Sequence, residues 1–195
     1  MFLNEFTWWL RSRRIHTALP IAFIVYPVLL ALTGDHTGAL SSAAQVGVAL
    51  AAPIPVVATM LYCLTSPAPH LEEAGYRRHR LYDVTVLSAC VGVACLMGAA
   101  TGWVAASSSA FAAGRNVAFL AGLALVTRVF IGVGSSVVPV AWLITVFLTG
   151  PFMPEKVRAW TVIPEPVSSA HALTVSAGLF ALGCFMHLTS RKVIS

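Results

Sequence analysis

Charged residues are scarce in this sequence. They make up only 10% of its 195 residues, while 58% are hydrophobic, and a soluble domain usually has about 25% charged residues. So few charges cannot cover the surface of a water-soluble domain of this length. The composition therefore excludes a water-soluble globular class and predicts that lipid faces most of the surface.

Several motifs that carry chemistry are also missing. The sequence has no phosphate-binding GxxxxGK[ST] and no HExxH zinc motif, so neither route to ATP hydrolysis or metal catalysis is open to it. Its four cysteines form no CxxC pair and no Cys/His spacing typical of a metal site. They are Cys63, Cys90, Cys95 and Cys184. We expect no catalytic residue, no metal site and no cofactor in the chain itself.

The sequence does contain long apolar segments, the signature of membrane-spanning helices of about 20 residues. Residues 117–149 form one apolar stretch that is too long for a single crossing of a core of about 30 Å. The glycines and serines of 131–136 offer a break. We therefore predict an all-α polytopic protein with six spans. They lie near 16–32, 45–64, 84–105 and 170–188, with two more inside 111–152, and Pro53 and Pro55 predict a kink in the second.

The N-terminal segment places aromatic and basic side chains side by side. A helix with this pattern lies in the headgroup region, with tryptophans at the interface and arginines toward anionic lipid. The residues concerned are Trp8, Trp9, Arg11, Arg13 and Arg14. We predict an interfacial amphipathic helix over 1–15 and a six-span transmembrane domain over 16–195.

The basic residues indicate the orientation. They fall in short runs between apolar segments, which fits membrane topology and argues against nucleic-acid binding. With a cytoplasmic N-terminus, eight basic residues lie inside and three outside. The inner ones are Arg11, Arg13, Arg14, Arg77, Arg78, Arg80, Arg191 and Lys192, and the outer ones are Arg115, Lys156 and Arg158. We predict a multi-pass plasma-membrane protein with both termini in the cytoplasm.

Arg128 is the one charge deep in a predicted span, and such a charge is a candidate for a transport pathway. Because it lies about one turn from the inner end, snorkelling to the headgroups or a structural pair is the alternative. Asp35, Glu155 and Glu165 fall in outer loops. A proton-coupled carrier usually buries an ionisable group, so their placement argues against one.

Two connections stand out from the rest. Residues 66–83 form the most charged segment of the chain and follow the second span, so we assign them to the cytoplasm. Residues 150–169 contain four prolines, which forbid one regular helix in this outer segment.

Ser135, Ser136 and His171 resemble the serine and histidine motifs of rhomboid intramembrane proteases. Those enzymes pair a serine with a histidine base near the outer side of the bilayer. Here the predicted topology places Ser135 at a cytoplasmic turn and His171 at the outer end of the last span. The rhomboid interpretation therefore ranks lowest.

The chain as a whole resembles the membrane subunit of ABC-2 type ABC exporters. The aromatic, basic N-terminal segment is similar to the interfacial elbow helix of that family. Residues 72–75, Glu-Glu-Ala-Gly, are similar to its acidic run in the loop that contacts the ATPase. Residues 148–154, Leu-Thr-Gly-Pro-Phe-Met-Pro, followed by Trp160, Pro164 and Pro166, are similar to its exit from the fifth span.

The resemblance implies a permease subunit that exports an amphiphilic small molecule, antibiotic or lipid. It implies a separate ATPase subunit, which binds ATP and Mg, and a second membrane subunit, identical or homologous. The residues it implies for ATPase coupling are Glu72, Glu73, Gly75, Arg77, Arg78 and Arg80. The alternative is a non-catalytic membrane scaffold or anchor.

Overall fold

A computed structural model of the chain describes residues 10, 13, 15–33, 42–64, 76–149 and 168–190, and these residues are almost entirely helical. The all-α prediction is confirmed. The helices are α1 (Ile15–Ala31), α2 (Ser42–Ala51), α3 (Pro53–Leu64), α4 (Tyr76–Val104), α5 (Ser108–Ile131), α6 (Val138–Thr149) and α7 (Ala170–Thr189). A 3-10 helix, Gly132–Val137, joins α5 to α6. The interfacial helix predicted over 1–15 lies almost wholly outside the described residues.

The described helices pass along the bundle six times in alternating directions, with α2 and α3 forming one pass. Arg13, Leu64 and Asp83 meet at one end, which we call the Asp83 end. Thr33 and Ser107 meet at the other end, which we call the Ser107 end. The rings of Phe119 in α5 and Trp142 in α6 lie 5.8 Å apart, so these two helices pack along each other as an antiparallel pair.

The predicted count of six membrane spans is too high when judged by length and hydropathy. Within the residues that the structure describes, four segments are long and apolar enough to cross a bilayer: Gly47–Leu64, Arg80–Val104, Ser108–Ile131 and Ala170–Thr189. α1 has only 17 residues, about 26 Å of helix. The fifth pass, Gly134–Leu148, is also shorter, because the 3-10 helix occupies its beginning.

Proline sets the kink in the second pass, as predicted. α2 ends at Ala51 and α3 begins at Pro53, where the missing N–H of proline costs nothing because the first helical position has no acceptor for it. The N–H of Ala52 still donates to the carbonyl of Val48 at 2.8 Å. The two helices therefore form one bent pass.

α4 begins eight residues before the predicted third span, so the prediction of a loop up to residue 83 is wrong at its end. The helix starts at Tyr76 and has 29 residues. Hydropathy marks where lipid begins, whereas a helix can continue through polar residues into water. The last eight residues of the predicted coupling segment are therefore helical.

The chain reverses at Gly132, within the break predicted over 131–136. Gly132 has φ 70°, a backbone conformation that glycine adopts without steric cost. Its N–H donates to the carbonyl of Arg128 and closes α5.

α5 is the central helix of the bundle. In its most apolar part 72% of the residues are buried, against 28% for α4 and 22% for α7. A Cβ on Gly114 would lie 2.6 Å from Cα of Cys95 in α4. A Cβ on Gly122 would lie 2.6 Å from the backbone N of Phe180 in α7. Glycine therefore lets both helices approach α5 closely, as small residues do in membrane helix pairs.

The glycines of α4, α5 and α7 divide into two groups. Gly98, Gly122 and Gly183 each meet a neighbouring backbone within 3 Å of an added Cβ, so they allow close packing of helices. Gly92 and Gly178 have nothing within 4 Å, so they lie on open faces of α4 and α7.

Large apolar side chains cover the outside of the bundle. Trp103 is 84% exposed and Leu148 is 75% exposed, and Ile24, Leu96, Phe130 and Phe185 are also exposed. A soluble monomer rarely shows apolar surface on this scale. Lipid is the medium that accommodates it, and the helices support a membrane-embedded protein.

Candidate functional site

Asp83 is a buried carboxylate in the second turn of α4. One of its oxygens, Oδ1, lies 3.0 Å from Nη1 of Arg13, and the two side chains are 7% and 2% exposed. The other oxygen, Oδ2, lies 3.2 Å from Nε2 of His187 near the end of α7. Asp83 thereby connects the segment before α1 to the last helix.

Arg13 also binds the end of α3. Its Nη1 donates to the carbonyl of Leu64 at 2.9 Å and approaches that of Cys63 at 3.4 Å. The last carbonyls of a helix have no partner within the helix and form its negative end. The contact to Asp83 Oδ1 is an ion pair without hydrogen-bond geometry, since Nη1 points at the carbonyls.

This placement of Arg13 corrects its assignment to the membrane interface. The sequence alone places Arg13 among anionic headgroups, but the structure turns it into the bundle. The physical reason is Asp83, because a buried carboxylate without a cation nearby is costly.

Two more arginines bind helix ends here. Nη2 of Arg128 donates to the carbonyl of Leu64 at 3.1 Å, which supports the structural alternative for this residue over a pathway role. Nη1 of Arg80 donates to the carbonyls of His187 and Ser190, where α7 ends. We call Arg13, Arg80, Asp83, Arg128 and His187 the Asp83 cluster.

The Asp83 cluster holds five parts of the chain together. It contains side chains from the segment before α1 and from α4, α5 and α7, and backbone carbonyls of α3. Its three arginines face a single carboxylate among the described residues, and helix carbonyls supply the remaining negative partners. Arg80, expected to contact an ATPase, therefore directs at least part of its guanidinium into its own chain.

Helical periodicity carries a signal for Asp83 that the sequence interpretation missed. Asp83, Leu87, Cys90 and Ala94 share one face of α4, and all four are buried. Spacings of four, three and four residues are the pattern of a helix face that packs on a core. If the predicted third span had been extended to include residues 80–83, this pattern would have placed Asp83 on the buried face of the helix. His187 carries no comparable signal.

Ionisable groups are thus buried, contrary to what the loop positions of the acids suggested. Asp83 and Arg13 are buried at the Asp83 end, and Arg115 is buried nearer the Ser107 end. Buried ionisable groups, which a proton-coupled carrier usually has, are therefore present. The pairing of Asp83 with Arg13 gives this carboxylate a structural explanation instead.

Arg115 was predicted in an outer loop and lies instead inside α5. The helix begins at Ser108, earlier than the predicted fourth span, so Arg115 falls in its second turn. Its Nε and Nη2 both lie 3.4 Å from Oδ1 of Asn116. Asn116 is also buried.

A neutral cluster closes the Ser107 end. Oγ1 of Thr33 lies 3.2 Å from Oγ of Ser107, which lies 2.9 Å from Oγ of Ser109. The backbone N–H of Ala110 donates to Oγ of Ser107, so Ser107 caps α5. These hydroxyls hold the end of α1 against the turn between α4 and α5.

Ser135 and His171 lie toward opposite ends of the bundle. Ser135 belongs to the 3-10 helix beyond the end of α5, on the side of the Asp83 cluster. His171 lies in the first turn of α7. Gly183, which packs on Leu125, follows it after twelve residues, or about 18 Å of helix. These two residues do not form the serine–histidine pair of a rhomboid protease.

Several predicted site residues fall outside the part of the chain that the structure describes. They are Trp8, Trp9, Arg11, Arg14, Glu72, Glu73 and Gly75, and most of the proline-rich segment, 150–167. Arg77 and Arg78 lie in the first turn of α4. Among the described residues no three His, Cys, Asp or Glu side chains lie close enough to hold a metal ion. The four cysteines are free thiols on helices.

Comparison with known proteins adds no relative. No family model, curated protein or solved structure is significantly similar to this chain. The function therefore has to be argued from the layout of the bundle and from the Asp83 cluster.

Proposed function

We propose that the chain is the membrane subunit of an ATP-driven exporter of the ABC-2 type, which works with a separate ATPase. The observation that carries the proposal is that the end of α3 and the start of α4, on either side of the α3–α4 connection (residues 65–75), meet at the Asp83 cluster. Contacts at the Asp83 cluster hold Leu64 just before the connection and Asp83 soon after it. This connection belongs to the most charged segment of the chain, and a transporter subunit without its own ATPase needs such a contact surface for a motor.

The length of α4 supports this role. Its 29 residues extend about 44 Å, whereas the hydrocarbon core of a bilayer is about 30 Å thick. The part long and apolar enough to span begins at Arg80. The first turn of α4, with Arg77 and Arg78, therefore projects toward water as a stiff continuation of a membrane helix. A rigid helix can transmit a displacement that a flexible loop would absorb.

The charge distribution supports a cytoplasmic side for this connection under the proposal. The Asp83 end contains Arg13, Arg80 and Arg128, and the flanking 77–78 and 191–192 are basic. Short basic segments remain on the cytoplasmic side of a membrane protein. Residues 13 and 190 then both lie on the side where ATP is available.

The partners follow from this arrangement. ATP and Mg bind to the ATPase subunit. Core side chains such as Val117, Leu120 and Leu125 fill the centre of the bundle around α5, so we place the export path at the seam with a second, identical or homologous membrane subunit. An amphiphilic small molecule, antibiotic or lipid suits a path that opens toward lipid.

Co-purification tests the proposal. The full chain, expressed in its own membrane, should carry an ATPase with a Walker motif through purification. The double substitution Glu72→Lys/Glu73→Lys should lower the yield of that complex by about tenfold, which corresponds to about 1.4 kcal/mol. Like charges placed at an interface are costly, often by more than this.

The matched control is Glu155→Lys/Glu165→Lys, which makes the same change of charge in the proline-rich segment assigned to the outside. The control should leave the yield of the complex unchanged. An equal yield from both double variants would contradict docking at 66–83. Recovery of a partner without ATPase activity would support the alternative, a membrane scaffold.

A further inference from the structure

Arg13 contacts the chain on both sides of the α3–α4 connection. Its Nη1 lies 2.9 Å from the carbonyl oxygen of Leu64, the last residue of α3. The same atom lies 3.0 Å from Oδ1 of Asp83 in α4. One guanidinium therefore closes the base of the connection, and it belongs to a segment that enters α1 only two residues later.

The contacts continue from Asp83 to the end of α7. Oδ2 of Asp83 lies 3.2 Å from Nε2 of His187. Arg80, one turn before Asp83, donates to the carbonyls of His187 and Ser190. The start of α4 is thus attached to the end of α7 through both a side chain and the backbone.

We propose that Arg13 is a positioning residue that couples the α3–α4 connection to α1 and, through Asp83, to α7. A partner that displaces the connection then moves the ends of these helices together. This inference deepens the proposed function, in which the connection receives the motor, but its test needs no motor.

The contacts of Arg13 with Leu64 and Asp83 can transmit a displacement that apolar packing alone would not transmit. Apolar contacts are non-directional, so helices held by them alone can slide past one another. A guanidinium presents its donors in a rigid planar fork. The hydrogen bonds from Nη1 fix Arg13 against the carbonyls of α3. The attraction between its buried charge and the carboxylate of Asp83 holds α4 beside them, so a displacement of one helix end is passed to the other.

The test uses the full chain in lipid nanodiscs with a short epitope inserted between Pro69 and His70. A Fab fragment against the epitope loads the connection, and hydrogen exchange is followed by mass spectrometry. In the otherwise unchanged chain, Fab binding should alter exchange severalfold in peptides that cover 184–190 and 15–19. In Arg13→Gln, the response at 15–19 should disappear. In Asp83→Asn, the response at 184–190 should fall severalfold, and the contacts of Arg80 with the end of α7 transmit the remainder.

Arg128→Gln is the matched control. Arg128 donates to the same carbonyl of Leu64, but from α5, so its removal loosens the end of α3 without removing Arg13. This variant should keep the response at 184–190. An undiminished response at 15–19 in Arg13→Gln and at 184–190 in Asp83→Asn, or an equal loss of both in Arg128→Gln, would overturn the inference. The absence of any response in the chain that carries only the epitope would also overturn it.

A folding defect does not obscure the result. If Arg13→Gln does not reach the membrane, Asp83→Asn, which is nearly isosteric, carries the test alone. Failure of the proposed function would appear separately, as purification of the chain without an ATPase. The hydrogen-exchange response would still measure the coupling through Arg13 and Asp83.

Discussion

Nε2 of His187 lies 3.2 Å from Oδ2 of Asp83, although 104 residues separate the two in sequence. This contact ties the start of α4 to the end of α7 beside the ion pair of Asp83 with Arg13. Polar contacts of this kind are held in place by the surrounding apolar helices. They also make the end of the bundle sensitive to single substitutions.

The ion pair of Arg13 and Asp83 should respond non-additively to substitution. Asp83→Leu alone leaves the buried guanidinium without its carboxylate and should lower the free energy of unfolding by about 3–5 kcal/mol. Arg13→Met/Asp83→Leu should recover part of that loss, because an apolar pair can replace a buried ion pair. Unfolding in detergent, followed by tryptophan fluorescence, measures both. Additive losses would show that the two side chains do not depend on each other.

Gly183→Ala and Gly178→Ala make the same change on one helix with opposite expected results. An added Cβ on Gly183 would lie 2.8 Å from Cβ of Leu125 and 2.9 Å from the carbonyl oxygen of Gly122, so Gly183→Ala should destabilise by about 1–3 kcal/mol. Gly178 has open space around it, and Gly178→Ala should stabilise by up to about 1 kcal/mol. Thermal unfolding of the two variants compares them. Equal shifts would contradict the packing of α7 on α5.

Ser107→Ala should weaken the start of α5. It removes the oxygen that accepts from the N–H of Ala110 and the partner of Thr33, so we expect a loss of about 1 kcal/mol. The neighbouring Ser108 is exposed, and Ser108→Ala should change the free energy of unfolding by less than about 0.5 kcal/mol. If both variants unfold alike, Ser107 is not the cap.

Cysteine labelling tests the proposed orientation. In a chain with its four cysteines replaced by alanine or serine, His79→Cys lies in the first turn of α4, at the Asp83 end. Ser108→Cys lies at the Ser107 end and is exposed. A maleimide that cannot cross membranes should label Ser108→Cys in intact cells, and His79→Cys only after lysis. The reverse pattern would invert the orientation and remove the basis for coupling to a cytoplasmic ATPase.

The glycine contacts show how much of the helix packing can be predicted from composition. Small residues in apolar helices predict close packing, and Gly98, Gly122 and Gly183 provide it. The sequence does not say which glycines face a neighbour, because Gly92 and Gly178 occur in the same helices and remain open. That choice depends on the rotation of each helix about its axis, which the whole bundle sets.

The ends of helices were predicted less well from the sequence than the helices themselves. Hydropathy located the lipid-facing parts of α4 and α5 but placed Arg115 and residues 76–83 in loops. A backbone can stay helical through charged residues when capping and packing satisfy its polar groups. The hydroxyl of Ser107 caps α5 and contacts Thr33, so the helix begins at Ser108 and Arg115 lies inside it.

The sequence by itself determined that this protein is all-α, that its helices suit a membrane, that the second pass bends at its prolines and that the chain breaks within 131–136. These properties follow from local composition, since apolar runs, proline and glycine act on the backbone where they stand. Only the tertiary structure decided that Arg13, Asp83 and His187 meet. Their partners come from distant parts of the chain, and which helices become neighbours depends on the packing of the whole bundle around α5.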